Sequence, residues 1–393
     1  MQFVKVIIPG KFFDSQLYSG ILYLWDTSGD IHIYNWDKLI SLIPIDDNLR
    51  IMLEGAFLRS DFFYGDRWAR LFADEDIKNV IKKKFDELSG AEVVVSTDLL
   101  EASKIYTQRN PMPFPHSDLI LYKKEFFVSG EGGVFKSSCN KKNKNHMNLK
   151  PHKVWDNDTV FGLSASYGNL AMACGSEGLY ERSVDSYSFR DRDFFKLSSK
   201  HSSSVRWVYY DVYASSHNEQ GYLADFGLEK NAIGKDERKF RGVVGSEEIF
   251  ENTGYSWGLK DKLCQLYDRT ISIVSFNPWD KDGVKFRPIG QIELMPFKGD
   301  VVFCDAASFG YLIECDNGLV VINSQLENIW LPGEPVNWRV FPRSRFYENQ
   351  LHIVYPEALH VLSFNDDYFV NQNTKLAGIK VSPFYQTRRE VGF

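Results

Sequence analysis

The sequence holds only five cysteines, at 139, 174, 264, 304 and 315, and no two stand at the Cys-x-x-Cys spacing of a zinc or redox site. Cys174, Cys304 and Cys315 fall inside apolar strand runs, where a thiol behaves as a small hydrophobe. No stretch reaches the roughly 18 apolar residues that a membrane-spanning helix requires. The opening MQFVKVIIPGKFFDSQLYSG has no basic segment followed by a long apolar core, so a cytoplasmic protein is expected. Neither sign of charge dominates. Lys and Arg number 46 against 52 Asp and Glu, a net charge of −6, which leaves no electrostatic footprint for nucleic acid over the whole chain.

Catalytic signatures are missing too. There is no P-loop, no dinucleotide fingerprint and no His-Glu-x-x-His. Ser164, Ser166 and the Ser198–Ser204 cluster lack a Gly-x-Ser-x-Gly elbow. His146 and His152 lie six apart with no Cys or carboxylate pair beside them, which argues against zinc. Asp225-Phe226-Gly227 echoes a kinase metal motif, but the glycine-rich and catalytic loops are absent. The sequence therefore predicts no cofactor and no metal, and leans away from an enzyme.

What is plentiful is strand-forming residues. Aromatics make up 15% and hydrophobics 44%, ample for a large core and unlike a disordered chain. Gly310–Asn323 (GYLIECDNGLVVIN) sets two β-rich runs around Asn317-Gly318, the dipeptide that suits a primed hairpin turn with positive φ. The pattern recurs at Ile21–Trp36, Asp118–Ser137, Val160–Val184, Val205–Lys230, Cys264–Ile292 and Trp338–Phe364. From Gly133 onward, turn centres repeat every roughly 35 to 55 residues, around the period of a four-stranded propeller blade. A sheet so small cannot bury both its faces alone and must stack on its neighbours. The prediction is an all-β fold, a single β-propeller over residues 1–393 with seven four-stranded blades, six or eight being the alternatives because the first half of the repeat is irregular. Phe3–Ile8 reads as a strand with no earlier partner, and is expected to close the ring beside Leu351–Phe364 or Ala377–Ser382.

These periodic units resemble the divergent WD40-like and kelch-like β-propellers. The resemblance covers most of the chain and implies the architecture alone. Trp25-Asp26, Trp36-Asp37, Trp155-Asp156 and Trp279-Asp280 sit at inconsistent places in the repeat, and a kelch-type double glycine occurs only at Gly132-Gly133. Ser28-Gly29-Asp30 and Asp316-Asn317-Gly318 do not fit the repeated motif of sialidase-type propellers.

Two interruptions stand out. Residues 56–110 read as a helical insertion: Ile77, Val80, Ile81, Phe85 and Leu88 share one helical face, Asp74-Glu75-Asp76 start it and Gly90 stops it. Such an element either docks a partner or covers a strand edge. Residues 230–261 read as a second insertion between blades. Candidate partner-binding residues are Phe62, Phe63, Tyr64, Arg67 and Trp68 in the first, and Tyr255 and Trp257 in the second, because Tyr, Trp and Arg are the usual interface anchors. The segment at 141–153 offers Lys141, Lys142, Lys144, Lys150 and Lys153 to a polyanion, though without the interleaved Arg and aromatics that base recognition uses.

The expected function is a non-catalytic scaffold or recognition subunit with a protein partner, of the kind used in a prokaryotic multi-protein system. A glycan- or small-molecule-binding or hydrolytic propeller using carboxylates in its central channel is the alternative. Weak RNA or polyanion binding through the lysine-rich segment is a third.

Overall fold

The computed structural model of the chain describes residues 3–58, 74–140, 146–147, 150–156, 159–184, 194–216, 220–234, 236–280, 282–323, 327–344 and 346–365. Seven antiparallel sheets follow one another along the chain, each laid down from its inner strand outward. The inner strands are Phe12–Tyr18, Asp118–Tyr122, Gly162–Ser166, Ser204–Val208, Tyr255–Leu259, Val301–Ala307 and Asn337–Val340, for blades 1 to 7. Inner strands contact their neighbours from blade 2 through blade 6, and the inner strand of blade 7 contacts that of blade 1. The chain is a seven-bladed β-propeller.

Strand periodicity explains how the blades cohere. Successive side chains of a strand point to opposite faces, so each strand feeds two seams. Leu22 and Leu24 enter the core between blades 7 and 1, while Tyr23 and Trp25 enter the core between blades 1 and 2. Likewise Leu312 and Val321 meet blade 7, whereas Ile313 and Val320 meet blade 5. Seven hydrophobic clusters result among the described residues, one per seam.

The ring closes as the sequence predicts. Phe3–Pro9 is the outermost strand of blade 7, antiparallel to Ala358–Phe364 in a register from Phe3↔Phe364 to Pro9↔Ala358. Val4, Val6 and Ile8 are wholly buried there. The alternative partner, Ala377–Ser382, lies outside the described residues.

Three expectations need correction. The hairpin at Asn317-Gly318 pairs Cys315 with Gly318, so its two-residue connection is Asp316-Asn317. Neither residue, nor Gly318, adopts positive φ. The primed turns lie instead between first and second strands, at Ser19-Gly20, Lys123-Lys124 and Tyr167-Gly168, where both residues have positive φ. Gly310 is required for another reason: a Cβ there would lie 1.8 Å from the Ile322 carbonyl oxygen.

The helical insertion is real, but it starts at Trp36 rather than residue 56. It comprises α1 (Trp36–Leu42), α2 (Asp47–Phe57), α3 (Glu75–Ser89) and α4 (Thr97–Ser103) between the third and fourth strands of blade 1. Asn35 caps α1 and Asp74 caps α3, each accepting backbone N–H bonds of the first turn. On α3, Phe85 and Leu88 are buried as their spacing predicts, whereas Val80 faces solvent. Between α3 and α4, Glu92–Val94 pairs in parallel with Phe3–Pro9 and covers the outer edge of blade 7.

The stretch 230–261 is not an insertion. Tyr222–Lys230 and Asp236–Gly245 are the third and fourth strands of blade 4, a long hairpin, and Tyr255–Leu259 already begins blade 5. Phe240, Val243, Val244, Tyr255 and Trp257 are strand residues at seams, Ile249 and Phe250 pack at the seam of blades 4 and 5 from outside a strand, and Ile233 is exposed in the hairpin turn.

Candidate functional site

Because the strands of a blade alternate in direction, the first-to-second and third-to-fourth connections all emerge on one face of the ring. That face carries the helical insertion of blade 1 and, from the outer connection of blade 5, residues 277–280 and 282–285. It also carries residues 341–344 and 346–349, which join the first two strands of blade 7.

Beneath it, the inner strands bring five charged side chains into the central channel. Arg339 of blade 7 forms a two-bond pair with Asp14 of blade 1, at 2.8 Å from Nε and 2.6 Å from Nη2. Its Nη1 donates to the Leu119 carbonyl at 2.7 Å and approaches Asp118 of blade 2 at 3.5 Å. His116 Nε2 lies 2.8 Å from the same Asp14 carboxylate. Across the channel, Arg206 of blade 4 pairs with Asp305 of blade 6 at 2.7 Å. Burial alone would raise the Asp14 carboxyl, but Arg339 and His116 outweigh it and hold it well below the usual carboxylate range. Burial likewise opposes the charge on Arg206 and Arg339, and their carboxylate partners reverse that effect and raise both.

Above these pairs lies a cavity of about 520 Å³, lined by residues of several inner strands and by the blade 7 connection. That connection crosses the channel mouth. Arg343 donates to the carbonyls of Ala165 in blade 3 and Trp207 in blade 4. The Tyr347 hydroxyl accepts from Gly20 N–H of blade 1 at 2.8 Å. The Glu348 carbonyl accepts from Ser308 of blade 6, and its carboxylate lies 3.7 Å from Lys260 of blade 5. One connection thus touches five other blades.

A second feature of this face is aromatic. Tyr167, Tyr209 and Tyr210 occupy the first turns of blades 3 and 4, and Trp279 the outer turn of blade 5. Their ring centroids are 4.5 Å apart for Tyr167 and Tyr210, 5.2 Å for Tyr210 and Trp279, and 5.1 Å for Tyr209 and Trp279. Tyr167 is 41% and Trp279 38% exposed.

Of the residues singled out from sequence, Phe62, Phe63, Tyr64, Arg67 and Trp68 lie outside the described residues, as do Lys141, Lys142 and Lys144. Lys150 and Lys153 are exposed, the latter with its ammonium 5.7 Å from the Phe135 ring centroid. Trp257 must be withdrawn as an interface anchor: it is 2% exposed and packs at the seam of blades 5 and 6. Tyr255 is half-buried and donates its hydroxyl to the Val301 carbonyl at 2.9 Å. The channel pairs escaped sequence reasoning because each member sits alone on a different strand. The available signal was a charge interrupting an apolar strand, as in Val205-Arg206-Trp207, Cys304-Asp305-Ala306 and Trp338-Arg339-Val340.

A general acid needs a carboxyl raised towards neutrality, and Asp14 is shifted the other way. Among the described residues, the carboxyl that burial raises, to about 7, is Asp211, on the second strand of blade 4 and not among the cavity-lining residues. No family model matches the chain, and no curated protein does. Among solved structures, a chain of "Crystal Structure of Mitotic Checkpoint Complex" is similar, with a TM-score of 0.43, 12% identity, and coverage of 67% of this chain and 79% of that one.

Proposed function

We propose that this protein is a non-catalytic recognition subunit that docks a protein partner on the face bearing the aromatic cluster of blades 3 to 5. The observation that carries this reading is the clustering of exposed and half-buried aromatic rings on tight turns of three successive blades. Tyr167 and Tyr209 have φ of 49° and 52°, a region that glycine or asparagine enters more easily than an aromatic residue. The same turn conformation recurs at Ser19, Lys123 and Lys260 in blades 1, 2 and 5, so what sets blades 3 and 4 apart is the aromatic side chain held there. These blades present tyrosine rings beside Trp279 on tight turns of a rigid body, and Tyr and Trp are the residues that dominate interface energetics. Ion pairs stand alongside, Lys285 with Asp225 at 2.7 Å and Arg287 with Asp280 at 3.0 Å, as in a polar rim.

The test is capture of a partner by tagged protein from native lysate treated with nuclease, identified by mass spectrometry. One stoichiometric protein is expected, retained by Tyr267→Ala, an exposed position on the opposite face, and lost with Tyr167→Ala combined with Trp279→Ala. Undiminished capture by the double variant would remove this surface from the reading.

A further inference from the structure

The cavity under the blade 7 connection has properties that a structural plug does not need. Its lining includes four basic side chains, Lys123, Arg206, Arg339 and Arg343, against two acidic ones, Asp118 and Asp305. Asp14, just behind the wall, pairs with Arg339 and Asp305 pairs with Arg206, so the remaining positive charge is that of Arg343 and Lys123 against Asp118, a modest bias towards an anion. Arg206 has donors to spare. A guanidinium carries five N–H groups, and the described protein takes three of Arg206's: two on Asp305 and one on the Val205 carbonyl.

Two further lining residues are polar and without a side-chain hydrogen-bond partner among the described residues. Gln16 and Ser164 are each 8% exposed, on the inner strands of blades 1 and 3. Their polar atoms are open to the cavity rather than sealed in the protein. An amide and a hydroxyl available to the cavity, in the same wall as a guanidinium with unused donors, form a polar site. Its volume falls within the range of small-molecule pockets. Phe341 and Phe346 add apolar wall, with Phe346 at the solvent-exposed rim.

We propose that this cavity binds a small hydroxylated anion, a sugar-sized molecule carrying one phosphate or carboxylate. Arg206 receives the anionic group through its two unused N–H donors. Gln16 and Ser164 hydrogen-bond the hydroxyls. This site is independent of the aromatic docking surface, and the function it serves is ligand recognition without turnover.

Isothermal titration of the full-length protein with glucose 6-phosphate, glucuronate and glucose tests this at low salt. Saturable binding is expected for one or both anions, the stronger of the two identifying phosphate or carboxylate as the group read. Glucose should bind more weakly by about tenfold or more. Gln16→Ala removes no hydrogen bond within the described protein, so it should leave the melting temperature unchanged and weaken anion binding by about tenfold. Arg206→Gln should abolish it; because this change also unpairs Asp305, Gln16→Ala is the variant that decides if Arg206→Gln fails to fold. Glucose binding as tightly as either anion, anion binding unaffected by Gln16→Ala, or no saturable binding of either anion would each overturn the proposal.

Discussion

Arg339 and Asp14 are 325 residues apart in sequence and form a buried pair at 2.6 and 2.8 Å. They come from the last and first blades, so the pair joins the two ends of the ring at the channel wall. Arg339 also reaches blade 2 through the Leu119 carbonyl. One guanidinium therefore fixes the relative positions of three blades.

Removing one member of such a pair leaves a buried charge uncompensated, which costs about 3–5 kcal/mol. Arg339→Ala should lower the urea midpoint accordingly, with Asp14→Ala slightly milder because it leaves Arg339 its carbonyl and Asp118 contacts. Replacing both together, Arg339→Met with Asp14→Leu, should recover most of the loss, since apolar residues of similar volume substitute well for a buried pair. If the double replacement were as unstable as Arg339→Ala, an uncompensated charge would not be the cause.

Stability should respond to acid through two buried groups that oppose each other. Burial, reinforced by Arg339, pushes the His352 imidazole down to about 3. Its unfolded form takes a proton first, so its contribution is complete above about pH 6.5 and is lost as pH falls towards the folded value. Asp211 behaves inversely. Burial raises it to about 7, so its unfolded form ionises first and stability is lost as pH rises from about 4 to that value. Between about pH 4 and 6.5 each contributes a slope of about 1.4 kcal/mol per pH unit, with opposite signs. Asp211→Asn should uncover a steep loss of stability on acidification, and His352→Gln should make the protein gain stability over the same interval. Denaturant titrations at several pH values measure both slopes; unchanged profiles would show that neither group titrates on unfolding there.

The helical insertion is held by a contact that helix ends demand. The last carbonyls of a helix have no partner within it. At the end of α2, the Ala56 carbonyl accepts from Ser363 at 2.6 Å, and the Phe57 carbonyl accepts from Gln350 at 2.7 Å and from Trp36 Nε1 at 3.0 Å. Blade 7 thereby caps a helix that belongs to blade 1. Gln350→Ala should destabilise by about 1–3 kcal/mol, because it removes a buried donor. Hydrogen exchange should locate the loss at α2; a change spread evenly over all blades would contradict the capping role.

The blade period, the ring closure and α3 were legible because each is a local pattern: alternation, a lone strand at Phe3–Ile8, and apolar spacing after Asp74. The primed turn at Asn317-Gly318 was misplaced because the strong dipeptide signal lies one residue past the true connection, while Lys123-Lys124 makes a primed turn without any glycine. The long hairpin of blade 4 looked like an insertion because Asp236–Gly245 lies near the protein surface and its residues are largely polar. The channel site was least legible. Asp14, Asp118, Arg206, Asp305 and Arg339 share no spacing, and only ring closure brings them together.

Ring closure itself gives the sharpest stability test. Val4, Val6 and Ile8 are fully buried, and burying each such side chain contributes about 1.5–3 kcal/mol. Together they approach the whole stability of an ordinary domain, about 5–15 kcal/mol. Deleting residues 1–9 also strips Glu92–Val94 of its parallel partner. The truncated protein should therefore lose its cooperative thermal transition rather than merely shift it, and a synthetic Phe3–Pro9 peptide in excess should restore part of it. The single change Ile8→Ala, costing about 2–5 kcal/mol, should keep the transition at a lower temperature. A deletion that melted like the full chain would mean that blade 7 stands on three strands, and that the ring is not held shut by its first strand.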